Sequence, residues 1–144
     1  LFSLIIISSG LIIYGFNNSQ NKIVYMLNQL QQYTEAENWI GVEKTAEEIL
    51  SLKPSDNSNN TYVLWNLIRS KALTGKYNDA VEYAKQLIKI SPKDGHYMLG
   101  LLYFDMKQYK LSKEELLEAK RLKAEYTNID ELIDEIDRVS KTKN

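Results

Sequence analysis

The chain has 144 residues, 44% of them hydrophobic and 26% charged, with 18 Lys plus Arg against 19 Asp plus Glu and a formal net charge of −1. That balance suits one globular domain and lacks the basic excess through which nucleic-acid binders neutralise phosphates. With no Cys and a single His, His96, the chain has no disulfide, no thiolate nucleophile and no multi-His or Cys-ligated metal set, and 6 Gly with 2 Pro favour helices over a turn-rich β fold.

The first residue is Leu rather than Met, which reads as a fragment or a processed form. Leu1 to Phe16, LFSLIIISSGLIIYGF, carries no charge. Sixteen helical residues span about 24 Å against a hydrocarbon core of about 30 Å, so the run is expected to be a transmembrane anchor completed by upstream residues. A cleaved signal peptide is one alternative, although no A-x-A-like site follows; a buried core helix is another. Lys22 is the only basic residue between Phe16 and Lys44, so the positive-inside rule leans the soluble part toward the extracytoplasmic side of a single-pass membrane protein. Residues 17–21 form a short linker.

From Asn21 onward the apolar residues follow a helical period. ENWIGVEKTAEEILSLKP, ending at Pro54, repeats as GKYNDAVEYAKQLIKISP, ending at Pro92, at a lag of 38: Trp39 falls on Tyr77, Ala46 on Ala84, Ile49 on Leu87 and Leu52 on Ile90. A lag of 32 then carries Tyr77 onto Tyr109, Leu87 onto Ala119 and Ile90 onto Leu122. The two lags bracket about 34 residues, the period of one class of helical-hairpin repeat. A polar insert, Asn57 to Asn60, accounts for the longer lag, and a tight turn near Asp94 and Gly95 for the shorter. Ala46, Ala80 and Ala84 are small where helices would approach closely. Pro54 and Pro92 stop helices, and Asn78 and Asp79 can cap the helix after Tyr77.

LTGKYNDAVEYAKQLIKISP resembles the second half of a tetratricopeptide repeat, with a Gly turn, an aromatic, the small Ala80 and a Pro-terminated helix. LGLLYFDMKQY resembles the first half of one, with Leu99, Gly100 and Tyr103 matching its L-G-x-x-Y element. The resemblance covers three repeats over residues 22–126. Leu30 and Ile68 depart from it at the small Gly site, Lys71 at the Tyr of repeat two and Ser112 at the third Ala; no Pro closes repeat three. The fold it implies is all-α, a tetratricopeptide-like array of helical hairpins (an α-solenoid) behind one transmembrane helix.

Ile129, Leu132, Ile133, Ile136 and Val139 share one face of an amphipathic C-terminal capping helix, residues 127–139, for which Thr127 or Asn128 is the expected cap. Residues 140–144 read as a frayed tail. Such arrays need a terminal element with a polar outer face.

The family resemblance implies a concave groove, lined by the first helices of successive repeats, that holds a peptide or helix of a partner protein. The groove residues would be Tyr62, Trp65, Asn66 and Arg69 from repeat two, Tyr97, Leu101 and Phe104 from repeat three, and Leu27, Asn28 and Gln31 from repeat one. Of the Lys/Asn/Arg clamp by which some relatives hold a terminal carboxylate, only Asn66 and Arg69 have counterparts, so an apolar or aromatic-anchored ligand is expected. His96 reads as a surface or groove His, and the carboxylate pairs Glu114/Glu115 and Asp134/Asp137 as solvated faces. No Gly-rich phosphate loop, G-x-S-x-G or EF-hand spacing occurs. The expected function is a non-catalytic, membrane-anchored protein–protein interaction module with no cofactor, no metal, no nucleic-acid partner and no small-molecule substrate. The competing reading is a structural subunit of a membrane complex, with the groove filled by its own C-terminal helix and Ser8, Ser9 and Gly10 in a helix–helix contact.

Overall fold

The computed structural model describes residues 21–54 and 56–141. These form seven helices and no strand: α1 (residues 21–35), α2 (Trp39–Ser51), α3 (Asn57–Leu73), α4 (Tyr77–Ile90), α5 (Pro92–Asp105), α6 (Tyr109–Arg121) and α7 (Ile129–Lys141). The two lags found in the sequence reappear as helix starts. Trp39, Tyr77 and Tyr109 are the first residues of α2, α4 and α6. Two positions before each stands a left-handed residue: Glu37 at φ 53°, Gly75 at 78° and Lys107 at 59°. The same reversal is thus built three times, once with the residue that tolerates it freely.

Local chemistry sets the ends. Asn38 caps α2 by accepting from Gly41 N at 3.0 Å, and Asp56 caps α3 by accepting from Ser58 N at 2.8 Å. The expected cap of α4 is displaced: Lys76 holds the N-cap position without a side-chain bond, and Asp79 lies in the first turn, where its charge suits the helix dipole. The turn expected near Asp94 and Gly95 is absent. Both lie inside α5, which begins at Pro92 with only Ser91 separating it from α4. Pro suits the first helical position because the N–H it lacks would have no partner there. Gly95 is required at this tight junction: a Cβ there would meet the backbone N of Ile88 at 2.5 Å. α7 continues through Ser140 and Lys141, beyond the boundary at 139 read from sequence.

Helices pack serially: α2 on α3, α3 on α4, α4 on α5, α5 on α6 and α6 on α7, with α3 also touching α5. Two apolar clusters result. Met26 and Leu30 of α1 join Val42, Ala46 and Ile49 of α2 and Val63 and Leu67 of α3. The other face of α3, Leu64 and Ile68, joins Ala80, Ala84 and Leu87, then Met98, Leu102, Leu116 and Ala119, and finally Ile129 and Ile136. Fully burying a side chain such as Leu67 or Leu87 stabilises by about 1.5–3 kcal/mol. The fully buried Ser112 keeps its hydroxyl satisfied by donating to Gly100 O at 2.7 Å.

The expected single-pass membrane placement, with its extracytoplasmic orientation, is corrected. Among the described residues no helix is long and apolar enough to cross a membrane. α3, with 17 residues, carries Arg69 and Lys71 within its span. The apolar run Leu1–Phe16 that motivated the expectation lies outside the described residues, as do Ser8, Ser9 and Gly10, most of the 17–21 linker and the last residues of the tail.

Candidate partner-binding groove

α3 and α5 are the first helices of two successive hairpins, and their shared face encloses an apolar groove. It has a volume of about 340 Å³ and is lined by Trp65, Ile68, Arg69, Ala72, Leu73, Met98, Leu101, Leu102 and Asp105. A second depression of about 360 Å³ follows the amino-terminal part of α3, lined by Ser58, Thr61, Tyr62, Trp65, Asn66 and Arg69. Trp65 and Arg69 line both, so the two adjoin. No residue of α7 lines either one.

The sequence-derived residues distribute unevenly over this surface. Tyr62, Trp65, Asn66, Arg69 and Leu101 line it; Tyr97 and Phe104 do not. Tyr62 is exposed at 42%. The Asn66 amide is engaged within the chain, accepting from the Thr34 hydroxyl at 3.1 Å and donating to Tyr62 O at 2.9 Å. The Arg69 guanidinium lies over the Trp39 ring, 5.2 Å from its centroid. Phe104 packs edge-on to Tyr109 at 5.8 Å. In α1, Leu27 packs half-buried against the first cluster, while Asn28 and Gln31 are exposed, Gln31 donating to Glu35 at 2.8 Å.

Tyr97 is buried at 6% exposure because Tyr126, in the α6–α7 connection, covers it. The Tyr126 hydroxyl donates to Asp94 Oδ1 at 2.6 Å, and Tyr97 donates to Asn128 Oδ1 at 2.9 Å. Trp65 completes the cluster, its ring centroid 5.9 Å from that of Tyr97 and 5.8 Å from that of Tyr126. Burial raises the Tyr126 phenol, and the Asp94 carboxylate that accepts its hydrogen bond raises it further. The connection therefore closes over the amino-terminal part of α5 and leaves the carboxy-terminal part bordering the groove. Sequence reading passed over Met98, Leu102 and Asp105, though all lie on the helix that carries Leu101; their spacing from Leu101 was the available signal.

Lys71, which stands where the resembled pattern has Tyr, is buried and bonds Glu43 at 3.0 Å and Glu47 at 2.8 Å. Burial alone would raise the Glu43 carboxyl. Hydrogen bonds from Lys76, Lys71 and Thr74 outweigh it and hold the group down at about 2. Burial would likewise lower Lys71, but Glu47 and Glu43 hold it above the usual lysine range. A cation in place of an aromatic thus ties α2 to α3 through charge.

His96 of α5 faces Glu115 of α6, Nδ1 to Oε2 at 2.6 Å, so the lone His is engaged in a half-buried helix–helix contact. Among the described residues no three His, Asp or Glu side chains converge in a way that could hold a metal ion. Glu114 and Asp134 sit on solvated faces and Asp137 pairs with Lys113 at 2.5 Å, whereas Glu115, expected on a solvated face, is the half-buried partner of His96.

No curated protein matches the chain significantly in sequence. The family model described as tetratricopeptide repeat matches residues 70–94 and 94–126. In structure the chain is similar to the Sgt2 TPR domain from Aspergillus fumigatus, with a TM-score of 0.71 at 18% identity, over 83% of this chain and 80% of that one. That likeness gives the fold. Residues 70–126 thus match the tetratricopeptide-repeat model, and the described helices form an all-helical array of the tetratricopeptide type.

Proposed function

We propose that this chain is a non-catalytic docking module and that the groove between α3 and α5 receives a peptide or helix of a partner protein. The observation that carries the proposal is the apolar groove floored by the buried Ile68, Met98 and Leu102 and bordered by Ala72, Leu73 and Leu101. Its volume, about 340 Å³, is at the lower end of the roughly 300–1,000 Å³ of ligand pockets, enough for anchoring side chains but not for a whole folded segment. Leu73 is 57% exposed and Tyr62 42%, so apolar surface stands open along α3, and such surface usually marks an interaction site. That no described residue of α7 lines either depression favours an external occupant over the chain's own terminal helix.

Site-specific photo-crosslinking tests the reading. A benzophenone side chain replaces Tyr62 or Arg69 in the groove, and Lys89 on α4 as a control, in the full chain expressed in cells. Discrete protein adducts are expected from the two groove positions and not from Lys89. Equal adducts from all three, or none from the groove, would overturn the proposal.

A further inference from the structure

Two charged side chains line the apolar groove, and the chain treats them differently. Arg69 already has an intramolecular partner in the Trp39 ring. Asp105 has no cation paired with it among the described residues, and burial alone accounts for the upward push on its carboxyl. Its position costs stability as well. Asp105 is the last residue of α5, where the helix dipole disfavours an anion. α3 ends beside it at Leu73, which lines the same groove, so two helix carboxy-termini add partial negative charge at that end. Asp105 is exposed at the edge of the groove, so its charge faces whatever occupies it.

Resting on the docking reading above, we infer that the groove's occupant is a partner segment whose apolar side chains seat between α3 and α5 and whose adjacent Lys or Arg meets Asp105 at the carboxy-terminal end. Charge complementarity selects this occupant over a purely apolar one. Apolar anchors supply the bulk of affinity, while a cation at the Asp105 end fixes polarity and rejects acidic segments. Because Arg69 lines the groove from the Trp65 side, a segment running the opposite way would set its cation against Arg69.

A displayed library of random 16-residue peptides, selected on the full chain and counter-selected on Leu101→Lys, tests this. Groove-dependent binders are expected to share apolar residues at helical spacing and a Lys or Arg at one flank. Affinity for the selected peptide should fall about five-fold with Asp105→Asn, the upper range for a partly screened ion pair, and more in Asp105→Lys, which should instead select acidic flanks. Asp105→Asn should leave the melting temperature unchanged or raised, so the loss cannot be misfolding. Groove-dependent peptides with no basic enrichment would overturn the inference and leave the docking reading standing. A selected pattern resembling the uncharged LFSLIIISSGLIIYGF run, or self-association abolished by Leu101→Lys, would overturn it in favour of a segment or second copy of this chain. The absence of any groove-dependent peptide would remove the docking reading itself.

Discussion

Tyr126 lies flat on Tyr97, ring centroids 3.8 Å apart and planes within 14°, although a whole helix separates them in sequence. The stack and the bond to Asp94 fasten the α6–α7 connection to α5. Tyr126→Ala should destabilise by about 1–3 kcal/mol and raise hydrogen exchange at the start of α7. Tyr126→Phe, which removes only the hydroxyl, should cost about 1 kcal/mol. Equal losses would place the stabilisation in the hydrogen bond; no loss in either variant would show that the connection is not fastened.

Trp65 and Tyr62 separate stability from binding. Trp65 is half-buried within the aromatic cluster, whereas Tyr62 stands exposed. Full core truncations of aromatics cost about 3–5 kcal/mol, so Trp65→Ala should lose roughly half of that. Tyr62→Ala should leave the thermal midpoint within about 0.5 kcal/mol of the parent's while weakening capture of the groove partner. Calorimetry on both variants checks the first contrast, and a binding isotherm the second.

The Glu43 network makes stability depend on pH. The folded carboxyl sits near 2, below the ordinary 4.5, so its contribution is complete above 4.5 and is lost as pH falls from there toward 2. Glu43→Gln should cost about 1.5–3 kcal/mol at neutral pH, the range of a hydrogen bond to a charged group, because Lys71 keeps Glu47 as a partner. The variant should also show a flatter stability profile between pH 4.5 and 2. Parallel profiles for parent and variant would argue against the role of this pair.

The left-handed turns predict opposite signs for two substitutions. Lys107 at φ 59° stores strain that Gly avoids, so Lys107→Gly should stabilise by about 1 kcal/mol. Gly75 at φ 78° has open space around it, so Gly75→Ala should destabilise by a similar amount through the backbone alone. Chemical denaturation of the two variants decides it.

Helical period, hairpin repetition and the lags of 38 and 32 were legible in the sequence because each reflects local chemistry repeated at fixed spacing. The start of α5 was not: Asp94 and Gly95 are turn formers by composition, yet Pro92 initiates a helix through them. Tyr62, Trp65 and Arg69 share a stripe that spacing alone predicts. The covering of Tyr97 depends on Tyr126, and no periodic pattern links those positions. Lys71 read as a departure from the resembled pattern because its carboxylate partners lie 28 and 24 positions earlier, on a different helix. Asp105 escaped notice because a single acid at a helix end has no motif.

The split allegiance of α3 sets how the molecule comes apart. Val63 and Leu67 belong to one apolar cluster and Leu64 and Ile68 to the other, with Leu50 of α2 and Tyr83 of α4 packing against both, so α3 is the main joint between the amino-terminal hairpin and the remainder. In a serially packed array, opening proceeds from an end, at an energy set by the interface broken rather than by the whole fold. The cluster from Leu64 to Ile136 holds the groove floor of Ile68, Met98 and Leu102 without any residue of α1. The surface offered to a partner is thus built on the half of the molecule that does not depend on the first helix.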